Sequence, residues 1–282
     1  MQASSKARLR LKALVFVVLA YLLTFTVPWE PLRFIGGQMW APGIAAVLVQ
    51  LAFERRLSGL GWKLPNWRWL LAGLAFPAAY VGLAYGVAWG SGAAVLIPDP
   101  MAWIREVLEV HIGFPPLPAW ALLPLFAAMV MTLGMAMNIV AAFGEELGWR
   151  GLLFPALQQS DGFKVAVLAS GAIWAVWHWH GILFSGYHAG GDPALSVLLF
   201  SLMIVLMSVG MGWLTLRSGG SVWPATLVHA VHNVLIQGAF EPLTQRPETG
   251  QVVTGEWGVA IPLALCVVLG TSALWQRRAR GA

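Results

Sequence analysis

Residues 119–143 read AWALLPLFAAMVMTLGMAMNIVAAF, a stretch without one charged side chain, and Gly144-Glu145-Glu146 follows at once. A run of this length is long enough to cross a hydrocarbon core as a helix, which takes about 20 mainly apolar residues. Two adjacent carboxylates at its end therefore call for a reason of their own. The same apolar texture extends in both directions. Of 282 residues 59% are apolar and 10% charged, against roughly 25% charged in an ordinary soluble domain. A water-soluble globule must show most of its outer shell to water, and this chain is too apolar to do so. Sixteen Trp and frequent Gly fit a bilayer setting, where Trp gathers at the interfaces and Gly is tolerated in spanning helices.

Measured by span length, the chain divides into eight apolar segments: 12–28, 34–53, 69–90, 119–143, 165–184, 195–216, 223–240 and 257–275. The expected fold is thus all-α, a polytopic membrane bundle of about eight transmembrane helices in one integral membrane domain spanning 1–282. The fourth segment is expected to run past Phe143 toward Phe154, with Pro155 ending it. Residues 6–12 (KARLRLK) followed by Ala13 to Val27 imitate a signal peptide. No small-x-small cleavage site follows, however, and Pro28-Trp29-Glu30 comes directly after, so the segment reads as a retained first span.

With the N-terminus inside, 14 of the 17 Lys and Arg fall in inner segments, and only Arg33, Arg105 and Arg246 fall outside. This positive-inside bias places both termini in the cytoplasm, most naturally of a cell inner membrane. Because the basic residues flank apolar segments, the net charge of +5 reflects topology and not a nucleic-acid surface. The expected partner is thus membrane lipid, with no nucleic acid. Cys266 is the one cysteine, so no intrachain disulfide forms. Gly82, Gly86 and Gly90 repeat the small-xxx-small spacing of close helix crossings. Segment 99–113, with Trp103, Ile104, Val107 and Leu108 beside Arg105, Glu106 and Glu109, predicts a short helix lying in the interface.

Polar residues inside the apolar stretches cluster in three places. In the first, Glu146 and Arg150 stand four apart with the acid N-terminal, the favourable order for a helical ion pair. Glu145 then lies about 100° round the helix with no local partner. A charge at membrane depth costs about 3 kcal/mol or more, and an unpaired, desolvated carboxylate is suited to act as a general base near neutrality. The second cluster puts Trp174 and His178 on one helical face, and the third does the same for His229 and Asn233. Glu145 with His178 is equipped to hold and deprotonate a water; His229 and Asn233 are equipped to donate hydrogen bonds to an oxyanion.

The order E-E-x-x-x-R, aromatic-x-x-x-H, H-x-x-x-N on successive apolar helices resembles the CPBP family of CAAX proteases and bacteriocin-processing enzymes, over roughly 130–240. The resemblance implies that Glu145 matches the catalytic glutamate, Glu146 and Arg150 the supporting pair, His178 the partner in activating water, and His229 and Asn233 the oxyanion site. It further implies an endopeptidase that cleaves a prenylated or otherwise lipophilic membrane-associated peptide. Trp174 stands where the family more often has Phe. No cofactor is required by these residues. A zinc ion held by Glu145, His178 and His229 is the alternative, since three ligands plus water describe many catalytic zincs, although no H-E-x-x-H helix is present.

Competing readings remain for each feature. Intramembrane Glu, His and Arg also mark ion or proton pathways of transporters, but the chain lacks the repeat symmetry and matched broken helices of that class. A non-catalytic bacteriocin-immunity protein keeping the same fold is a third reading. His180 and His232 are offset from the motif faces and read as structural, whereas His111 and His188 fall in outer loops. Met129, Met131, Met135 and Met137 read as packing or cavity lining.

Overall fold

The computed structural model describes residues 2–187, 191–245 and 252–281, with side chains from 5 to 274 within those ranges. His188 and Arg246, and the side chains of Arg277, Arg278 and Arg280, lie outside the described residues. The helices are α1 Gln2–Thr26, α2 Ala41–Glu54, α3 Trp67–Gly90, α4 Pro100–Arg105, α5 Ala119–Asp161, α6 Phe163–Phe184, α7 Pro193–Arg217, α8 Trp223–Leu235 and α9 Ala260–Gly281. No strand forms among the described residues beyond one isolated antiparallel bridge, Leu96 to Thr244. The protein is an all-helical membrane bundle. Five of its helices, within 5–26, 67–90, 119–161, 163–184 and 193–217, are long and apolar enough to cross a membrane. Many of their large apolar side chains face outward, among them Leu14, Leu22, Val87, Leu168 and Leu198. A water-soluble surface would not carry such a continuous coat.

Two of the expected segments differ in extent. Segment 34–53 is helical only from Ala41, because Glu30–Ile35 and Gly37–Trp40 form tight 3₁₀ turns around the left-handed Gly36. The remaining 14 residues give about 21 Å of helix, short of a roughly 30 Å hydrocarbon core. The fourth segment does not stop at Pro155. It continues to Asp161 through a π-helical turn at Trp149–Leu153. A widened turn loosens the hydrogen-bond ladder just before Pro155, where the ring would otherwise meet a carbonyl one turn back.

Helix α5 is the centre of the packing, lying against α2 and α8, while α3 packs on α8 and α6 on α7. The close approach that positions the site is at the start of the glutamate motif. A Cβ on Gly43 would sit 2.5 Å from the Gly144 carbonyl oxygen, and one on Gly148 would sit 2.6 Å from Pro42. Gly144 and Gly148 thus supply the small-xxx-small surface that brings α2 against the motif. Gly82, Gly86 and Gly90, expected to serve that purpose, have no neighbouring atom within 4 Å of an added Cβ. They lie on a face of α3 that no described helix covers.

The short amphipathic helix is present. Asp99 caps α4 by accepting from the Ala102 N–H at 2.8 Å, and the chain continues as a π-helical turn to His111. Ile104 and Leu108 are buried against Leu122 and Phe126 of α5, and Arg105 pairs with Glu109 at 2.7 Å.

Candidate active site

The site begins with two neighbouring acids whose i+4 residues differ. Glu146 is fully buried and accepts from Arg150 Nη1 at 3.0 and 2.8 Å on its two oxygens. Arg150 is only 1% exposed; it donates through Nη2 to Ser208 at 2.9 Å and lies 4.4 Å from the centre of the Trp174 ring. Every face of that cation is therefore occupied. Glu146 also meets His229 Nδ1 at 3.0 Å, a contact between α5 and α8 that helical spacing alone did not reveal.

Glu145 was expected to lack a local partner, and here the structure differs. Its Oε2 accepts from Trp149 Nε1 at 3.1 Å and from Trp174 Nε1 at 2.6 Å. Trp149 lies one turn on, at i+4, so the oversight was to weigh only charged partners. Both donors are neutral indoles, and no Lys or Arg among the described residues reaches this carboxylate. Because both bonds fall on Oε2, Oε1 is left for the cavity that Glu145 borders.

His178 is fixed by its own helix. Its Nδ1 lies 3.0 Å from the Trp174 carbonyl oxygen. A carbonyl only accepts, so Nδ1 carries the hydrogen, and in the neutral ring Nε2 offers a lone pair. Trp177 and Phe200 flank the ring at 4.7 and 4.9 Å between centroids. Asn233, one turn after His229, forms no side-chain hydrogen bond with another described residue.

Glu145, His178, His229 and Asn233 all border one cavity of about 780 Å³, a volume in the ordinary range of ligand sites. The three motifs thus converge, although they come from α5, α6 and α8. His180 and His232, expected to face elsewhere, border it too. His180 lies against Phe25 and Phe184 at 5.0 and 5.5 Å. His232 meets the Tyr80 hydroxyl at 2.8 Å through Nδ1. Met203 and Met207 line part of the apolar wall, whereas Met131 and Met137 face outward.

Sequence reading missed a further polar wall. Glu256, in the turn before α9, accepts from Tyr187 at 2.6 Å and Gln237 at 3.0 Å, and all three border the cavity. Burial pushes the Glu256 carboxyl up, but the approach of His232 Nε2 at 3.3 Å and donation from Tyr187 and Gln237 outweigh it and hold the group below the ordinary glutamate range. The available signal was a lone acid placed directly before an apolar run. Among the described residues no three His, Cys, Asp or Glu side chains are grouped to hold a metal ion. Glu145, His178 and His229 share a cavity without forming such a group.

Residues 110–235 match the family model of the type II CAAX prenyl endopeptidase Rce1-like family. The matched segment is somewhat less than half of the chain. A curated relative, CAAX prenyl protease 2 of Methanococcus maripaludis, is 30% identical over 99 residues, which is 34% of this chain and 36% of the relative. The match therefore spans about a third of each protein. The Rce1-like segment contains Glu145, Glu146, Arg150, His178, His229 and Asn233; Gln237 and Glu256 lie beyond it.

Proposed function

We propose that this chain is an intramembrane endopeptidase that hydrolyses a peptide bond with a glutamate-activated water. The observation that carries the reading is the convergence of Glu145, His178, His229 and Asn233 on one cavity within the Rce1-like segment. In this scheme a water sits between Glu145 Oε1 and His178 Nε2. Glu145 takes a proton as the water attacks the scissile carbonyl, and His178, with its hydrogen committed to Trp174, accepts the second hydrogen bond. The oxyanion is met by the Asn233 amide and by the Nε2–H of His229, which the ring carries as an imidazolium with its Nδ1–H held by the Glu146 carboxylate. Glu145 then returns its proton to the leaving nitrogen, so the cycle closes without a net change in the enzyme.

Glu146 and Arg150 take no proton in this scheme. Their work is to hold His229 in place from below while Arg150 braces Trp174, the stronger of the two donors to Glu145. Among the described residues Glu145, His178 and His229 are not grouped to hold a metal ion, and a zinc ion remains the alternative to the water held by Glu145 and His178 alone. No step is routed through a metal.

The catalytic core is residues 130–240 of a single integral membrane domain, in a cell inner membrane with both termini in the cytoplasm. The substrate is a membrane-associated peptide or protein, prenylated or otherwise lipophilic. The relative named CAAX prenyl protease 2 supports that class. The test is cleavage of lipidated and unlipidated membrane peptides by the purified chain in liposomes, beside Glu145→Gln. Loss of cleavage in the variant is expected, and a fully active variant overturns the reading.

A further inference from the structure

The helices of this bundle reach the cavity from one end. α1 offers Thr24 and Phe25 from its last turn, and α6 offers Trp174, His178 and His180 from its second half. α7, which returns antiparallel to α6, offers Phe200 and Met203 from its first half, and Glu256 stands just before α9. Burial follows the same axis. Glu145, Trp174, Met207 and His229 are buried, whereas Phe25, Gln38, His180, Ser185 and Gln237 are exposed. The exposed group is the rim, and its Gln and Ser side chains belong in water and not against lipid tails.

The opposite end is sealed. Beneath the cavity lie Glu146, Trp149, Arg150 and Ser208, all buried. Below them the turn at 55–66 folds over the turn at 218–222. The Val222 N–H donates to the Gly61 carbonyl at 3.1 Å, and Ser221 Oγ donates to the Lys63 carbonyl at 2.8 Å. A Cβ on Gly151 would sit 2.8 Å from the Leu60 carbonyl oxygen, so this turn lies directly on α5. The sealed end also carries the cations. Arg10 pairs with Asp161 and Lys12 with Glu54, while Arg55, Arg68, Lys164 and Arg217 stand at helix ends on the same side. No Lys or Arg is among the described residues that line the cavity. Lys and Arg collect on the cytoplasmic side of a membrane, so the charge and the mouth lie on opposite faces.

We propose that the cavity opens to the extracytoplasmic face, and that its substrate is a membrane-associated peptide whose cleaved bond has already reached that face. The substrate class rests on the endopeptidase reading, and the sidedness rests on cytoplasmic termini. Ser185 follows His178 by seven positions, about 10 Å of helix. An extended stretch of about three residues therefore reaches from the rim to the imidazole. A substrate confined to the cytoplasm would have to pass the closed turn and the Glu146–Arg150 brace.

Single cysteines report the mouth without any need for activity. In a Cys266→Ser background, Met207→Cys puts a thiol deep in the cavity, Ser185→Cys one at the rim and Ser58→Cys one in the turn at the basic end. Each variant meets a charged, membrane-impermeant methanethiosulfonate in right-side-out and in inverted membrane vesicles, and the added mass is read. Met207→Cys and Ser185→Cys are expected to react in right-side-out vesicles and to be spared in inverted ones, with the reverse for Ser58→Cys. Reaction of Met207→Cys in inverted vesicles alone, or in neither preparation, overturns the proposal. So does reaction of Ser58→Cys in right-side-out vesicles, which would put the basic end outside. The same vesicles then receive a membrane-impermeant fluorogenic peptide, with Glu145→Gln as the blank. Cleavage is expected in right-side-out vesicles alone, and equal or faster cleavage in inverted vesicles overturns the substrate class. If no peptide is cleaved in either preparation or in detergent, the endopeptidase reading has failed separately, and the cysteine pattern still decides where the cavity opens.

Discussion

Replacing Glu146 by Ala should cost this protein far more stability than replacing Glu145 by Gln, although the two residues are neighbours. Glu146→Ala removes the one carboxylate bound to Arg150 among the described residues; Arg150 is 1% exposed and keeps Ser208 and the Trp174 ring as neighbours. Removing one partner of a buried pair costs roughly 3–5 kcal/mol, because the remaining charge stays buried. His229 loses the acceptor at its Nδ1 as well, which adds about 1–3 kcal/mol if that group is left unsatisfied. Glu145→Gln is different in kind. The amide oxygen still accepts from Trp149 and Trp174, so both indoles keep a partner, and the change should stay within about 1 kcal/mol, in line with neutral hydrogen-bond differences. Glu145→Ala is not harmless either, since it orphans two buried indole donors. The assay is thermal unfolding in detergent beside peptide cleavage, on Glu145→Gln, Glu146→Ala and Glu146→Gln. The expected order is a near-native melting point without activity for the first, a large drop for the second and a partial recovery for the third. Equal melting points for Glu145→Gln and Glu146→Ala would refute the division of roles.

Asn233→Ala should lower kcat by about 10²–10³, the usual loss for one oxyanion donor, with little change in KM; a KM effect alone would assign the amide to substrate binding. Gly148→Ala places a methyl 2.6 Å from Pro42, so it should separate α2 from α5 and destabilise the protein by about 1–3 kcal/mol, as overpacking does. Gly86→Ala, which meets nothing within 4 Å, is its control and should be neutral or slightly stabilising in thermal unfolding. A reporter enzyme fused after residue 282 should be active only on the cytoplasmic side, and activity on the far side would overturn the orientation.

The apolar segments were legible because a bilayer imposes one length and one composition on a span. Their ends were less so. The turn chemistry around Gly36, which shortens α2, and the π-helical turn that carries α5 past Pro155 leave no periodic signal. Within the site, motif residues could be paired along a helix but not across helices. Glu146–Arg150 and Trp174–His178 were therefore visible, whereas His229 on Glu146 and Trp174 on Glu145 needed the packing of α5, α6 and α8. The small-xxx-small pattern was read on the wrong helix for the same reason: spacing says that a close crossing is allowed, and only the partner surface says where it happens. Glu256 escaped because nothing in its own neighbourhood places it near a helix that lies more than a hundred positions earlier.

What separates the two adjacent acids is one step of helical phase. Each acid looks one turn ahead, Glu145 to an indole and Glu146 to a guanidinium. The guanidinium neutralises its acid and makes it a fixed brace, which then holds His229. The indoles hold theirs by hydrogen bonds alone, and that carboxylate borders the cavity, where the proposed mechanism uses it. Trp174 joins the two halves, since one face of its ring lies against Arg150 while its N–H holds Glu145. Phe at this place would keep the ring against the cation but remove the shorter of the two indole bonds. Trp174→Phe should therefore leave folding nearly unchanged while slowing hydrolysis. If folding suffers and hydrolysis per folded molecule does not, the indole is there for packing and Glu145 is positioned by Trp149 alone.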